Sequence, residues 1–111
     1  MMPANHFVMV NHKQKIRIPI QNIIMLEGFN NYTLFHLQSG KQRLYARPIR
    51  HFEAQLLPEN FIRIHRGFLI NSSCIVSYDK TENKLQMENN LEASISRRRR
   101  KNLSDFYIIE N

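Results

Sequence analysis

The sequence has few of the features that mark secreted, membrane-spanning or disulfide-stabilised proteins. It contains one cysteine among 111 residues, so an internal disulfide is excluded and a reducing compartment is expected. No apolar run approaches the roughly 20 residues that a transmembrane helix needs. The N-terminal residues lack the basic stretch followed by an apolar one that marks a secretory signal. We therefore predict a cytoplasmic protein that does not insert into membranes, with Cys74 as a small core residue.

Catalytic and metal-binding patterns are also sparse. The five histidines show no metal-ligand spacing relative to Cys74 or a carboxylate, and the three glycines lie too far apart for a phosphate-binding loop. The nine acidic residues are dispersed, without a close pair suited to acid–base catalysis. A Ser–His–Asp arrangement stays open on sequence alone, although nothing marks a nucleophile elbow. We predict no enzyme activity, no cofactor and no metal site.

Positive charge, in contrast, is abundant and unevenly distributed. Sixteen Lys and Arg residues against nine Asp and Glu give a net charge of +7. Without the basic segment (residues 97–101, Arg-Arg-Arg-Arg-Lys) the balance is 11 against 9, or only +2. The excess is therefore one local patch, which favours a polyanionic partner such as nucleic acid. A solvated tail is the alternative interpretation.

Hydrophobic periodicity predicts a single, mainly β domain. Short apolar or alternating runs are separated by turn residues at intervals of roughly 8–12 residues, which is typical of antiparallel β proteins. The predicted strands cover residues 6–10, 15–20, 23–26, 32–37, 42–46, 61–64, 68–71, 74–78, 84–88 and 91–95. A turn is predicted over residues 27–31. One helix is predicted to begin at Pro48, to bury Ile49, Phe52 and Leu56, and to end at Pro58.

The turn between the strands at 61–64 and 68–71 combines His65, Arg66 and Gly67 between strongly apolar runs. An ordinary hairpin corner is one interpretation of this pattern. A functional turn on a rigid support is the other, since binding residues concentrate on loops that a scaffold positions.

The basic segment has the context of a helix start. Ser96 is a suitable N-cap, and Leu103, Phe106 and Tyr107 keep helical spacing, so a short helix is predicted to begin near Arg97. Cations in a first turn oppose the helix dipole by about 0.3–1 kcal/mol each when exposed. A bound phosphate would reverse that sign. This favours an anion-binding function over a solvated tail.

Five motifs share their order and spacing with one known family. They are Ile24-Met25-Leu26-Glu27-Gly28, Asn31-Tyr32-Thr33, Phe52-Glu53 with Leu56, Phe61-Ile62-Arg63-Ile64-His65-Arg66-Gly67-Phe68-Leu69-Ile70-Asn71, and Ala93-Ser94-Ile95-Ser96-Arg97. On these residues the chain resembles the LytTR DNA-binding domain, from about His6 to Tyr107. The resemblance implies an elongated antiparallel β domain of three small sheets with one or two short helices. It also implies a transcriptional regulator that binds specific double-stranded DNA sequences, usually as two copies on tandem repeats, with loops in successive major grooves.

The resemblance further implies which residues contact DNA. Base-reading contacts are expected from Asn31, Thr33, Arg66 and Arg97. Phosphate contacts are expected from Asn30, His65, Arg98, Arg99, Arg100 and Lys101. For His65, a structural bond to the turn backbone is an equally open role. Tyr32 is expected to pack.

The chain departs from the family pattern at two places. Gly67 stands where Ser or Asn is usual, so the turn is expected to be more flexible or to lack one phosphate contact. Arg47-Pro48-Ile49-Arg50-His51 replaces a common Ser-Leu helix start, a change that is expected to leave the DNA face untouched. Many family members carry an N-terminal receiver domain, and none is expected here. The chain is then either a fragment of a response regulator or a stand-alone regulator with an unknown signalling partner.

Two other functions remain open on sequence alone. One is a β module that binds single-stranded nucleic acid through exposed aromatic residues. The candidates for stacking are Phe29, Tyr32, Phe35 and Tyr45, although the alternation assigns Phe35 to the core. The other is a protein-interaction domain whose basic patch binds an acidic partner.

Overall fold

The computed structural model describes residues 6–104, which form ten strands and two short α-helices. The strands are β1 (Phe7–Asn11), β2 (Ile16–Pro19), β3 (Ile23–Phe29), β4 (Tyr32–Leu37), β5 (Gln42–Tyr45), β6 (Phe61–His65), β7 (Phe68–Asn71), β8 (Ile75–Asp79), β9 (Lys84–Met87) and β10 (Leu91–Ser94). The helices are α1 (Arg50–Leu56) and α2 (Arg100–Ser104). The prediction of a mainly β fold with one or two short helices is confirmed. No helix in this part of the chain is long and apolar enough to cross a membrane.

All strand pairs are antiparallel, and they form three sheets. β1 pairs with β2, and β8, β9 and β10 form a meander in the order β10-β9-β8. The central sheet has the order β5-β4-β3-β7-β6. Its middle strand, β3, pairs with β4 on one side and β7 on the other. The hairpins β3–β4 and β6–β7 are thereby joined, which brings their turns to the same end of the sheet.

The central sheet is covered on both faces by apolar residues. One core joins it to α1 and β1–β2 through Leu26, Phe35 and Phe52, with the rings of Phe35 and Phe52 edge to face at 4.9 Å. The other joins it to the β8–β10 sheet and α2 through Ile64 and Leu85. Residues 23–26 are all buried because β3 contributes to both cores, as its unbroken apolar run predicts.

Two predicted boundaries are wrong by two residues or more. Residues 27–29 continue β3 instead of turning, because they keep ladder partners in β4 and the Gly28 N–H donates to the Gly67 carbonyl at 2.9 Å. The paired strand outweighs the turn tendency of glycine. The helix begins at Arg50 rather than Pro48, and Pro58 lies inside a 3₁₀ turn (Leu57–Glu59) that follows it.

The apolar residues of β2 differ in burial, although an alternating strand would place them on one face. In β2, Ile18 is buried whereas Ile16 is 40% exposed, since the β1–β2 register shifts next to it.

Cys74 is buried, and burial raises the pKa of its thiol, as expected for an unreactive core residue.

The predicted helix start near Arg97 is confirmed. Arg97–Arg99 form a 3₁₀ turn that leads into α2, and the Ser96 hydroxyl accepts a hydrogen bond from the Arg99 N–H at 3.2 Å. Leu103 is buried, so α2 is anchored by its apolar side. Phe106 and Tyr107, which complete the predicted pattern, lie outside the described residues.

Candidate nucleic-acid interface

The β6–β7 turn is held by its own side chains. The Gly67 N–H donates to Nδ1 of His65 at 2.9 Å, and Nε of Arg63 donates to the His65 carbonyl at 2.8 Å. The Arg63 guanidinium also donates to the Arg66 carbonyl and pairs with the Glu53 carboxylate on α1. The Arg63 side chain is only 11% exposed, although the alternation places it on the solvent face of β6. It therefore fixes the backbone that presents Arg66, whose side chain is exposed.

His65 takes the structural role in the free protein, because its ring bonds the turn backbone. Nδ1 accepts from Gly67, so the neutral ring carries its proton on Nε2. Burial, followed by the positive charges of Arg66, Arg63 and Arg99, lowers the pKa of His65. The ring is therefore neutral near pH 7, which is the form that this hydrogen bond requires. The residue as a whole is partly exposed.

The β3–β4 turn exposes Asn30 and Asn31. Asn30 has a φ of 55°, in the left-handed region that asparagine tolerates better than most residues. Thr33 is fully buried, and its hydroxyl donates to the Arg47 carbonyl at 2.7 Å. Its side chain thus offers nothing to a DNA base, and we remove it from the candidate set. Tyr32, which was expected to pack, is half exposed.

The two turns border one cleft of about 620 Å³. Its lining includes Gly28 and Gly67, which share a backbone hydrogen bond, together with Asn30 and Arg66. Arg50, at the start of α1, also lines it. Asn30 and Arg66 are thus brought together from positions 36 residues apart in the sequence.

The basic segment is joined to the β6–β7 hairpin from the other side. The Ser96 N–H donates to the Ile64 carbonyl at 2.8 Å, and the Asn102 side-chain amide donates to the Arg63 carbonyl at 2.9 Å. Arg99 is half-buried, and its charge acts on both Arg63 and His65. The segment is therefore a continuation of the same surface rather than a separate tail.

Its four other basic residues are exposed: Arg97, Arg98, Arg100 and Lys101. Arg100 donates to the Asn83 side-chain oxygen at 3.1 Å, which holds it against the β8–β9 turn. Within residues 6–104, the side chains of Arg97 and Arg98 make no hydrogen bond or ion pair. Their guanidinium donors are available to a partner.

Sequence reasoning missed the residues that support this surface. Arg63, Glu53 and Asn102 hold the β6–β7 turn and the basic segment in place. The one available signal was the motif Phe-x-Arg-x-His-Arg, in which Arg63 precedes the turn at a fixed spacing. Glu53 and Asn102 lie 10 and 39 positions from Arg63, so the pattern alone does not show these contacts.

The chemistry of the surface is that of an anion-binding site. In the described part of the chain, no group of three or more His, Cys, Asp or Glu residues is arranged to hold a metal ion. Guanidinium groups and side-chain amides dominate, and these donate to phosphate oxygens and to base edges. A mainly β domain with such a basic surface falls in the class of nucleic-acid-binding proteins.

Comparison with known proteins identifies the family within this class. Residues 13–107 match the LytTr DNA-binding domain, so the chain belongs to the LytTR family of DNA-binding domains and is a DNA-binding regulator of transcription. Its fold is similar to the LytTr DNA-binding domain of a Bacillus cereus response regulator, with a TM-score of 0.73 and 22% identity. That alignment covers 92% of this chain and 96% of the other. Comparison with curated proteins found no match.

Proposed function

We propose that this domain recognises a specific double-stranded DNA sequence by inserting its turns into major grooves. Asn31, Arg66 and Arg97 read base edges in this proposal. The phosphate contacts come from a second set, Asn30, His65, Arg98, Arg99, Arg100 and Lys101. The observation that carries the proposal is the joining of the two turns and the basic segment into one surface by backbone hydrogen bonds.

The proposed base readers have the donors that the task needs. An arginine can donate two hydrogen bonds to O6 and N7 of guanine, and such a pair discriminates against other bases by about 1–3 kcal/mol. Arg66 extends from a turn that Arg63 and His65 already hold, so little ordering is required on binding. Asn31 has both a donor and an acceptor, which suits the edge of adenine.

The proposed phosphate contacts supply affinity rather than sequence information. Arg98, Arg100 and Lys101 are exposed on consecutive turns of the basic segment. Each neutralised phosphate releases counterions, so binding should weaken steeply as salt increases. A second copy on an adjacent repeat belongs to the same proposal, as the family resemblance implies.

Competition binding tests this function. Sites selected from random duplex DNA should bind better than scrambled duplex and than either single strand. A change of about 4 kcal/mol or more between selected and scrambled duplex is typical of specific regulators. Equal binding to all three DNAs would contradict the proposal.

Single-stranded nucleic acid is a second candidate, for one observation. Phe29 and Tyr32 are direct cross-strand partners beside the β3–β4 turn, and they are 48% and 50% exposed. Exposed aromatic rings can stack on unpaired bases. Phe35 is fully buried, and Tyr45 packs edge to face against it at 5.4 Å. Only two of the four candidate stacking residues are therefore left. The duplex proposal therefore has the stronger support, and the single-strand arm of the competition decides between them.

A further inference from the structure

A second basic cleft lies on the other side of the segment that leads into α1. Its volume is about 570 Å³, and it separates the β1–β2 turn from the end of β5. The polar residues that line it are Asn11, His12, Lys13, Tyr45, Arg47 and His51. No acidic residue lines it, in contrast to the first cleft, where Glu27 contributes.

The charges of this cleft are not neutralised by the protein. Lys13 and Arg47 are exposed, and neither forms an ion pair within residues 6–104. His12 and His51 are exposed beside them and add nitrogen donors or acceptors. Two unpaired cations across a concave surface attract an anion, because the field of like charges is focused in a cleft.

The position of Arg47 connects this cleft to the proposed DNA surface. The Arg47 carbonyl accepts the hydroxyl hydrogen bond of Thr33, two residues after the exposed Asn31. Tyr45 pairs with Thr33 in the β4–β5 ladder, so the chain leaving β5 passes beside the β3–β4 turn. The buried Thr33 therefore has a structural role, because its hydroxyl holds the backbone of Arg47 next to the β3–β4 turn.

We propose that this cleft binds the DNA backbone beyond the bases that the β3–β4 turn contacts, with Lys13 and Arg47 each contacting one phosphate. The proposal rests on the proposed function and extends its contact surface across the 45–51 segment. It reverses the expectation that the Arg47–His51 helix entry stays away from DNA.

A polymer is favoured over a free anion by the exposure of the site. Exposed cations hold a small ion weakly because water and salt screen them. A phosphate on a duplex that is already bound at the turns arrives at a high effective concentration, so weak local contacts still add to affinity.

The test compares the salt dependence of duplex binding in two double variants. In Lys13→Gln/Arg47→Gln, the slope of log K against log salt should fall in magnitude by about 1.8, or about 0.9 for each lost phosphate contact. The matched control, Lys41→Gln/Arg43→Gln, removes the same two charges at the opposite end of β5 and should leave the slope unchanged. Selected and scrambled duplexes should weaken by the same factor, because phosphate contacts carry no sequence information.

Three results would overturn this inference. The first is a slope in the cleft variant equal to that of the control. The second is a loss restricted to the selected duplex. The third is an unchanged duplex slope together with chemical-shift changes at His12, Lys13 and Arg47 on titration with inorganic phosphate, which would identify a site for free anions.

The design also separates this inference from the function on which it rests. A wild-type domain that prefers no duplex contradicts the proposed function itself. A wild-type domain that binds its selected duplex while the cleft variant keeps the full slope contradicts only the cleft. The single variants Lys13→Gln and Arg47→Gln, each with an expected slope change of about 0.9, replace the double variant if its thermal unfolding shows a loss of fold.

Discussion

The β6–β7 turn and the basic segment both present arginines to the proposed interface, but the protein holds them differently. Arg66 extends from a turn whose backbone is bonded by Arg63 and His65. Arg97 and Arg98 follow Ser96, whose hydroxyl accepts from the Arg99 N–H, and their own side chains have no partner in the described part of the chain. The first arrangement suits a contact with one required geometry. The second suits the contact proposed for Arg98, which any phosphate can accept, and leaves the Arg97 side chain to be ordered when it reads a base.

The two arrangements separate a contact that depends on exact geometry from a contact that depends mainly on charge. A bidentate contact to a base loses its value if the arginine is displaced by a fraction of an ångström, so the supporting residues should matter almost as much as the arginine. A phosphate contact depends on charge and proximity, and it tolerates several side-chain conformations. Variants that weaken the support of the β6–β7 turn without altering net charge can therefore distinguish a base contact from a phosphate contact.

The largest effect is expected from Arg63→Ala. The variant leaves Glu53 without its partner and frees two turn carbonyls, so we expect the free energy of unfolding to fall by about 3 kcal/mol. Preference for selected over scrambled duplex should fall too, because the Arg66 turn loses its support. Denaturant unfolding and competition binding measure the two quantities.

Arg63→Lys is the control for charge in that experiment. Lysine keeps the positive charge but lacks the planar guanidinium that contacts Glu53 and both carbonyls. Relative to Arg63→Ala, we therefore expect only partial recovery of the free energy of unfolding and of the preference for selected duplex. Full preference for the selected duplex in a folded Arg63→Ala protein would show that the turn needs no such support.

The next effect is the loss of discrimination in Arg66→Ala and Arg97→Ala. Each should reduce the preference for selected duplex by about 1–3 kcal/mol, because each removes a proposed base contact. Both side chains are exposed, so the free energy of unfolding should change by less than about 0.5 kcal/mol. If either variant weakens selected and scrambled duplex equally, that arginine contacts phosphate instead.

A smaller and less selective effect is expected from Arg100→Ala. Affinity should fall for both duplexes by the same factor, and the salt slope should decrease in magnitude by about 0.9. Titrations at several salt concentrations measure this change. A loss of discrimination like that of Arg66→Ala would remove the distinction between the two regions.

The smallest expected effect is the pH dependence of the β6–β7 turn. Because the pKa of His65 is lowered in the folded protein, its contribution to stability is present above the unfolded value of about 6.5. It is lost as the pH falls below that value toward the folded pKa, since a protonated Nδ1 cannot accept from Gly67. Thermal unfolding of the wild type should therefore lose more stability on acidification than that of His65→Asn. If the stability of the wild type and of His65→Asn changes with pH in the same way, this hydrogen bond does not contribute to the pH dependence.

Local patterns predicted the fold class and most strands, because an alternating or continuous apolar run bounded by turn residues indicates a strand. The apolar run at 23–26 predicted a strand buried on both faces, and β3 is that strand. The errors lie at element ends, where a partner decides the outcome. Residues 27–29 stay in β3 because β4 and Gly67 supply hydrogen bonds that no local pattern encodes.

The residues of the candidate site likewise divide into those that local patterns identify and those whose exposure depends on the fold. Residue type and motif spacing identified Arg66 and the basic segment, and local rules identified the Ser96 cap. Thr33 was expected to read bases, but its side chain is buried, since burial depends on which strand lies beside it. Arg47 was set aside, although the fold places it next to the β3–β4 turn through the hydroxyl of Thr33.

By itself, the sequence determined that the chain is a mainly β domain with a concentrated positive charge, since periodicity and charge are properties of consecutive residues. Only the tertiary structure decided which residues support the turns and which remain exposed. The Arg63–Glu53 pair, the Gly28–Gly67 bond and the Arg63–Asn102 bond join residues 10 to 39 positions apart. Such contacts depend on how β3, β6, α1 and α2 pack, because two side chains bond only where the folded backbone brings them within reach.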